Sequence, residues 1–249
     1  MLQTWLHALP FLLGAGFLTW LVSVQLRNVT IVDTLWSLMF VIAAFSYASS
    51  TLPPGPRAQL VLVLVTVWGL RLAIYLGRRN FGHEEDRRYQ KIRRRNEPGF
   101  AWKSLYLVFG LQAVLAWVIS LPLLGAIAGD ASPLGWLDYA GVALCLVGLY
   151  FEAVGDWQLT RFKANPANAG KVMDQGLWGL TRHPNYFGDF CIWWGFGLVA
   201  LAAGAWWSLV GPALMSVLLL RVSGVTLLER DIGKRRPGYA EYIRRTNAF

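Results

Sequence analysis

The chain has 249 residues, 55% of them hydrophobic and only 15% charged, with a positive mean hydropathy and a formal net charge of +9. Soluble domains average about 25% charged residues, so this composition excludes an ordinary soluble globule and indicates an integral membrane protein. The basic surplus does not indicate a nucleic-acid partner, because Lys and Arg collect in particular loops, as membrane topology requires.

Segments long and apolar enough for a crossing, about 20 residues each, run in chain order over 5–26, 31–51, 58–77, 103–127, 135–156, 187–204 and 206–227. Only Gly204-Ala205 separates the last two, which fits a tight turn or a broken helix. The opening residues Met1 to His7 carry no basic region, so no cleaved signal peptide is expected. Cys145 and Cys191 both sit in apolar spans without further Cys or a paired His at ligand spacing, which speaks against a disulfide framework or a metal site.

Charge orients these spans. The stretch 78–103 holds nine Lys or Arg, whereas the loops near 52–57, 128–134 and 204–205 hold a single Arg, Arg57, between them. Basic loops stay cytoplasmic. The expected fold is therefore all-α: one polytopic membrane domain, 1–249, of seven transmembrane helices with the N-terminus outside and the C-terminus cytoplasmic. A multi-pass place in a bacterial inner membrane follows as the expected location.

Ionisable residues within the spans gather at their cytoplasmic ends: Asp33, Arg71, Glu152, Asp156, Asp189 and, in or beyond the last turns, Arg221 and Glu229; Asp138, near the outer boundary, is the exception. Glu152 and Asp156 are four apart and share one helix face. Plain structural readings exist for some of these. Arg71 and Arg221 also suit snorkelling, Asp33 suits a helix start, and Glu84 to Arg88 suits a charge-laced solvated helix end. The run Thr181-Arg182-His183-Pro184-Asn185-Tyr186-Phe187-Gly188-Asp189 is harder to dismiss. Pro184 restricts His183 to an irregular entry into span six, where free backbone donors suit a phosphate or ribose.

Clustered cations facing the cytoplasm suit a polyanionic ligand such as a dinucleotide. Lys163, Lys171, Arg182, Arg230 and the stretch that includes Arg79 and Arg88 are the candidates, with Asp156, Asn185 and Asp189 for ribose hydroxyls or a carboxamide. No Gly-x-Gly-x-x-Gly fingerprint is present, so a Rossmann domain is excluded. The helices themselves must hold any cofactor. On this reading 78–103 is a basic cytoplasmic loop, 157–189 a cofactor-binding loop with the start of span six, and 228–249 a C-terminal cap.

Gly176-Leu-Trp-Gly-Leu-Thr-Arg-His-Pro-Asn-Tyr-Phe-Gly-Asp189 resembles the C-terminal signature of the steroid 5α-reductase family, in particular a bacterial branch of it. Asp156-Trp157-Gln158, Arg161-Phe162-Lys163, Trp68-Gly69-Leu70-Arg71-Leu72, Glu85-Asp86-Arg87-Arg88-Tyr89 and Gly238-Tyr239-Ala-Glu-Tyr242 extend the resemblance over most of the chain. The wider superfamily includes sterol reductases and isoprenylcysteine carboxyl methyltransferases.

The resemblance implies a seven-helix membrane enzyme that uses NADPH to reduce the carbon–carbon double bond of an enone steroid-like or other lipid. It implies that Asp156, Lys163, Lys171, Asn185 and Asp189 surround the nucleotide. Arg71, Arg79, Asp86, Arg88, Glu152, Arg182, His183, Tyr186 and Glu229 are assigned to the same inward-opening chamber from their charge and position in the sequence. Arg230, Tyr239 and Tyr242 would close over it. Asp33 falls at the acidic ketone-binding position of span two, with Trp36 and Trp68 facing substrate. Trp68 stands where the family has a tyrosine and cannot donate a phenolic proton, so Tyr75, two turns along the same face, becomes the second candidate acid beside Asp33. Hydride delivery builds an enolate that such a donor stabilises.

A rival resemblance is to membrane methyltransferases acting on an isoprenylcysteine or phospholipid, in which Glu229 and residues 182–186 would hold S-adenosylmethionine. A lipid-binding or scaffold protein is a third reading, but it leaves the span carboxylates and the polar run unused. The expected partners are the lipid substrate and membrane lipids.

Overall fold

The computed structural model describes residues 1–51, 54–129, 132–222, 224–232, 236 and 238–249, apart from the side chains of 227, 228, 230 and 231. Among the described residues every regular element is a helix. Contacts divide the chain into two compact units: Met1–Leu134 with Ala200–Ser208, and Gly135–Val199 with Leu209–Phe249.

The first unit is built around α2 (Ile31–Ser49), which touches α1 (Leu2–Leu26), α3 (Pro56–Asn80), α6 (Leu111–Ile119) and α7 (Leu121–Ala128). Of the membrane-length helices α2 is the most enclosed, 56% of its apolar window being buried against 22–33% in the others. α1 stops at Arg27, whose φ of 50° turns its N–H back to the carbonyls of Ser23 and Val24. Pro56 opens α3 at a position where no amide is needed. A Cβ on Gly69 would stand 2.6 Å from Val41 and 3.1 Å from the Ser37 carbonyl, so the bare backbone lets α3 lie against α2. The Ser37 hydroxyl fastens that approach, donating to the Gly69 carbonyl at 2.9 Å.

Between α3 and the next apolar helix lies α4 (Arg87–Asn96), started by the Asp86 carboxylate accepting from the Arg88 amide. The expected span 103–127 is not one straight rod. It begins as α5 (Phe100–Ser104), passes through a π-turn at Leu105–Gly110 into α6, and breaks at Ser120 before α7. Pro122 lacks an amide and cannot continue the hydrogen-bond ladder of α6, which explains the break.

In the second unit α8 (Trp136–Ala164) is 29 residues long. At 1.5 Å per residue this is roughly 43 Å, beyond the hydrocarbon thickness of about 30 Å. The expected span stops at 156. The helix runs on because no breaker intervenes until Asn165-Pro166. α9 (Leu177–Leu180) and α10 (Pro184–Ala202) follow, then α11 (Val210–Val217), a π-turn at Leu218–Val222, α12 (Val225–Ile232) and α13 (Tyr239–Arg245). Gly204, at φ 74°, makes a tight turn after α10.

Five helices among the described residues are long and apolar enough to cross a membrane: α1, α2, α3, Phe100–Ile119 and α8. The chain is thus an all-helical membrane protein. The expected sixth and seventh spans are less uniform. α10 carries Asn185 and Asp189 in its first turns, and 206–227 divides into shorter helices with a break near Gly224.

Glycine at seven-residue intervals joins α8 to α10. A Cβ on Gly141 would stand 2.7 Å from the Gly195 carbonyl, and one on Gly188 would stand 2.5 Å from the Gly148 carbonyl and 2.7 Å from the Glu152 amide. Small residues let backbones meet closely where lipid offers no hydrophobic drive between helices. Substituting Gly188→Ala therefore destabilises the protein by about 1–3 kcal/mol through overpacking against backbone atoms that cannot yield. Gly14→Ala, with nothing within 4 Å of the new methyl, leaves the melting temperature unchanged or higher. Thermal unfolding in detergent separates the two variants, and equal melting temperatures would contradict the seam.

Candidate functional site

In the first unit the start of α2 meets the start of α4. Asp33 lies in the first turn of α2, its side chain 12% exposed. Its Oδ2 accepts from Arg88 Nη2 at 2.7 Å, and its Oδ1 accepts from the Tyr89 hydroxyl at 2.5 Å. The Gln112 amide donates to the same phenolic oxygen at 3.3 Å. Asp86 caps α4 and also accepts from Arg88 Nε at 2.9 Å, while its own amide donates to Thr30 Oγ1 at 2.8 Å. Glu85 accepts from the Val29 amide at 3.0 Å and from Arg93 at 2.8 Å, pinning the loop to the α1–α2 turn.

The electrostatics follow from burial and these partners. Burial raises the Tyr89 phenol well above its usual value, and the Asp33 charge pushes it further. Tyr89 therefore keeps its proton at neutral pH. Burial works against the Arg88 cation, but the Asp33 and Asp86 carboxylates outweigh it and raise its pKa. Burial likewise opposes ionisation of Asp86, yet its bonds to Arg88 hold it below the usual carboxylate range.

Arg71 and Arg79 each lie 5.9 Å from the centre of the Tyr75 ring, one on either side along α3 in sequence. The Arg79 charge also acts on Asp86. The structure thus brings Asp33, Asp86 and Arg88 into direct contact, and links Arg71, Tyr75 and Arg79 as a second string that reaches Asp86. Trp36 meets Phe40 edge-on at 5.1 Å, and Phe40 meets the buried Trp68 at 5.8 Å. Tyr89 lies outside the candidate site residues, although its motif, Glu85-Asp86-Arg87-Arg88-Tyr89, carries part of the family resemblance. Its signal was an N-cap at Asp86, which sets Arg88 and Tyr89 in the first turn of α4.

In the second unit the segment 181–183 is clasped by α12 and the C-terminal tail. Arg182 reaches both oxygens of Glu229, at 2.7 Å and 3.3 Å, and its Nη1 donates to the carbonyls of Ile243 and Thr246. His183 Nε2 lies 2.9 Å from Glu229, and its ring stacks at 5.5 Å on Tyr186. Thr181 donates to the Ala248 carbonyl at 2.6 Å, and the Arg182 amide to the Asn247 carbonyl at 2.9 Å. Tyr242 donates to the Trp178 carbonyl, and Trp178 in turn donates to the Gly155 carbonyl at 3.0 Å. The guanidinium of Arg182, expected among the cofactor contacts, is thereby engaged with Glu229 and tail carbonyls. No sequence pattern reveals such backbone acceptors.

Burial lowers the His183 pKa below its usual value, overcoming the Glu229 contact. Burial acts the other way on Glu229, but the bonds from Arg182 and His183 hold it below the usual range. Tyr239 is pushed up to about 12 by burial and the Glu229 charge.

Glu152, Asp156 and Asp189 are buried, and Lys163 and Lys171 are exposed. Asn185 accepts from the Tyr186 amide at 3.1 Å. The Arg230 side chain lies outside the described residues. Beside the end of α8 opens a hollow of about 390 Å³ lined by Trp157, Gln158, Arg161, Phe162, Asn165, Asn168, Met173, Gln175 and Gly176. Among the described residues no group of three or more His, Cys, Asp or Glu could hold a metal ion.

The fold and these buried ionic groups define an all-helical membrane protein with polar constellations at helix ends. Residues 19–246 match the family described as Protein of unknown function (DUF1295), and the chain belongs to that family, which is generally related to steroid 5α-reductase-like proteins. An uncharacterized protein, C594.04c of Schizosaccharomyces pombe, is 25% identical over 246 residues, covering 81% of this chain and 70% of that protein. A probable O-methyltransferase, ustE of Ustilaginoidea virens, is 47% identical over 53 residues, which is 21% of this chain and 18% of that protein. No solved structure matches the chain.

The His183 shift fixes the sign of an acid effect. The unfolded chain takes up this proton near pH 6.5, while the folded form resists it to lower pH. The associated stability is present above about pH 6.5 and is lost as pH falls through the lowered folded value. The melting temperature is therefore expected to decline between about pH 6.5 and pH 5, and His183→Gln should flatten that decline. Parallel curves for the two proteins would refute the assignment.

Proposed function

We propose that the protein is an NADPH-dependent membrane reductase of a carbon–carbon double bond in an enone lipid, steroid-like or otherwise. Seven crossings with a cytoplasmic C-terminus, in a bacterial inner membrane, complete the reading. The observation that carries it is the Asp33–Tyr89–Arg88 contact, a protonated phenol held on a carboxylate at the end of an apolar helix. Tyr89, rather than Tyr75, is the phenol that touches Asp33.

Reduction of an enone builds negative charge on its carbonyl oxygen, and a donor already aimed there lowers the barrier. The Tyr89 hydroxyl can turn from Asp33 to such an oxygen. Its raised pKa suits it to donate a hydrogen bond without ionising. Arg88 remains 2.7 Å from Asp33 to balance the charge that an enolate adds. Asp33 is the positioning residue for both, and Trp36 and Trp68 supply an apolar wall.

The donor set also suits NADPH. Amides, a guanidinium and an indole line the hollow beside α8, whose volume of about 390 Å³ falls in the usual range for ligand sites and accommodates part of a dinucleotide. Lys163, Lys171, Asn185, Asp156 and Asp189, none of which is among the residues lining that hollow, are the groups assigned to phosphate and ribose. When bound, NADPH would supply the hydride to the carbon β to the carbonyl, and the balancing proton would reach the α-carbon from solvent water.

The second reading, S-adenosylmethionine-dependent methyl transfer to a lipid, is supported by the short match to the probable O-methyltransferase. It would use Arg182, His183 and Glu229. A ligand that binds the native state raises its melting temperature by mass action. Purified protein is expected to gain stability with NADPH and less with NADH; a gain with S-adenosylmethionine alone would select methyl transfer.

Tyr89→Phe and Asp33→Asn should each lower turnover by about 10²–10³-fold, the scale for losing a donor at a developing oxyanion, with the NADPH shift retained. Tyr75→Phe, which keeps the ring between Arg71 and Arg79, should stay within a few-fold of wild type. Undiminished turnover in both the Tyr89 and Asp33 variants would remove this assignment.

A further inference from the structure

The outer face of α4 takes no part in the Asp33 constellation that its inner face builds. Tyr89 is buried and Arg88, Ile92 and Arg93 are half-buried, whereas Arg87, Lys91, Arg94 and Arg95 are exposed. Positions 87, 91, 94 and 95 are spaced i, i+4, i+7 and i+8, so their side chains project from one helical face. Three of the neighbouring acids already hold inner-face cations, Glu85 with Arg93, Asp86 with Arg88, and Glu97 3.9 Å from Arg93, while Glu84 is exposed. Among the described residues no carboxylate pairs with Arg87, Arg94 or Arg95.

Connectivity sets where this charge sits. The apolar helix α3 ends at Asn80 and the membrane-length stretch Phe100–Ile119 begins three residues after α4. A fully extended chain gains at most about 3.6 Å per residue, so the linkers 81–86 and 97–99 hold both ends of α4 near the membrane surface. Phe81 and Trp102 flank it, 88% and 72% exposed. Trp is enriched at headgroup level.

We propose that this face of α4 binds the phosphodiester headgroups of anionic phospholipids in the surrounding membrane, through Arg87, Arg94 and Arg95 with Lys91 beside them. A guanidinium offers paired donors matched to phosphate oxygens, and juxtamembrane cations are drawn to anionic leaflets. Because the opposite face carries Arg88 and Tyr89, the bound lipid also steadies the helix that presents them to Asp33. The inference stands whether the protein reduces, methylates or does neither.

The test uses the full chain in nanodiscs of phosphatidylcholine, with and without phosphatidylglycerol. Phosphatidylglycerol should raise the melting temperature. The triple variant Arg87→Gln, Arg94→Gln, Arg95→Gln should lose most of that gain, with headgroup affinity about a hundredfold weaker. Arg87→Lys, Arg94→Lys, Arg95→Lys should retain clearly more of it than the Gln variant, since the charge stays while the paired guanidinium donors go, which separates lost charge from a damaged fold. Three results overturn the proposal: no lipid-dependent gain in wild type, a full gain in the Gln variant, or an equal gain from inorganic pyrophosphate in neutral nanodiscs. The last would make the face a site for soluble anions.

Discussion

An ionised carboxylate in an apolar helix must be paired, because an isolated one costs far more free energy than a fold of this size has to spare. Asp33 sits in the first turn of α2, the most enclosed helix of its unit. Its two oxygens take the Arg88 guanidinium and the Tyr89 phenol, so the basic loop must fold back onto α2. Thr30, Val29 and Gln112 complete the fastening. One carboxylate thereby determines where α4 lies, which of its faces is buried and which is left charged and exposed.

The second unit meets the same requirement with different groups. Arg182 and His183 converge on Glu229, and the carbonyls of the tail satisfy the donors that remain. The helix beneath them is held by glycines that admit backbone-to-backbone contact between α8 and α10. Glu152 and Asp156 project from the same face of α8 as that contact, so they are buried by packing that leaves little space to move. Polar groups fixed on close-packed helices keep their geometry better than groups on loops.

Much of this was legible before the structure. The spans expected at 31–51 and 58–77 correspond to Ile31–Ser49 and Pro56–Asn80, since apolar runs of that length admit few other forms. Helix ends were harder. Ser120 and Pro122 interrupt a stretch whose hydropathy alone reads as continuous, and α8 passes the membrane boundary because hydropathy does not report where a helix stops. Asp33 stands out by its place in an apolar span, whereas Tyr89 does not, because it directly follows a stretch, Glu84 to Arg88, that also reads as a solvated, charge-laced helix end. Their contact joins positions 56 residues apart and depends on the cap at Asp86. The engagement of Arg182 with the carbonyls of Ile243 and Thr246 was beyond reach of side-chain patterns altogether.

On the proposed reading the Asp33–Tyr89–Arg88 group polarises a carbonyl oxygen, in a lipid that carries that oxygen beside a double bond. The most direct measurement supplies membranes or purified protein with NADPH deuterated at the transferable C4 position and an enone lipid, then examines the product by mass spectrometry. Reduction predicts a product with one deuterium on the carbon β to the carbonyl. A lipid that emerges unreduced, yet methylated when S-adenosylmethionine is present, would contradict it.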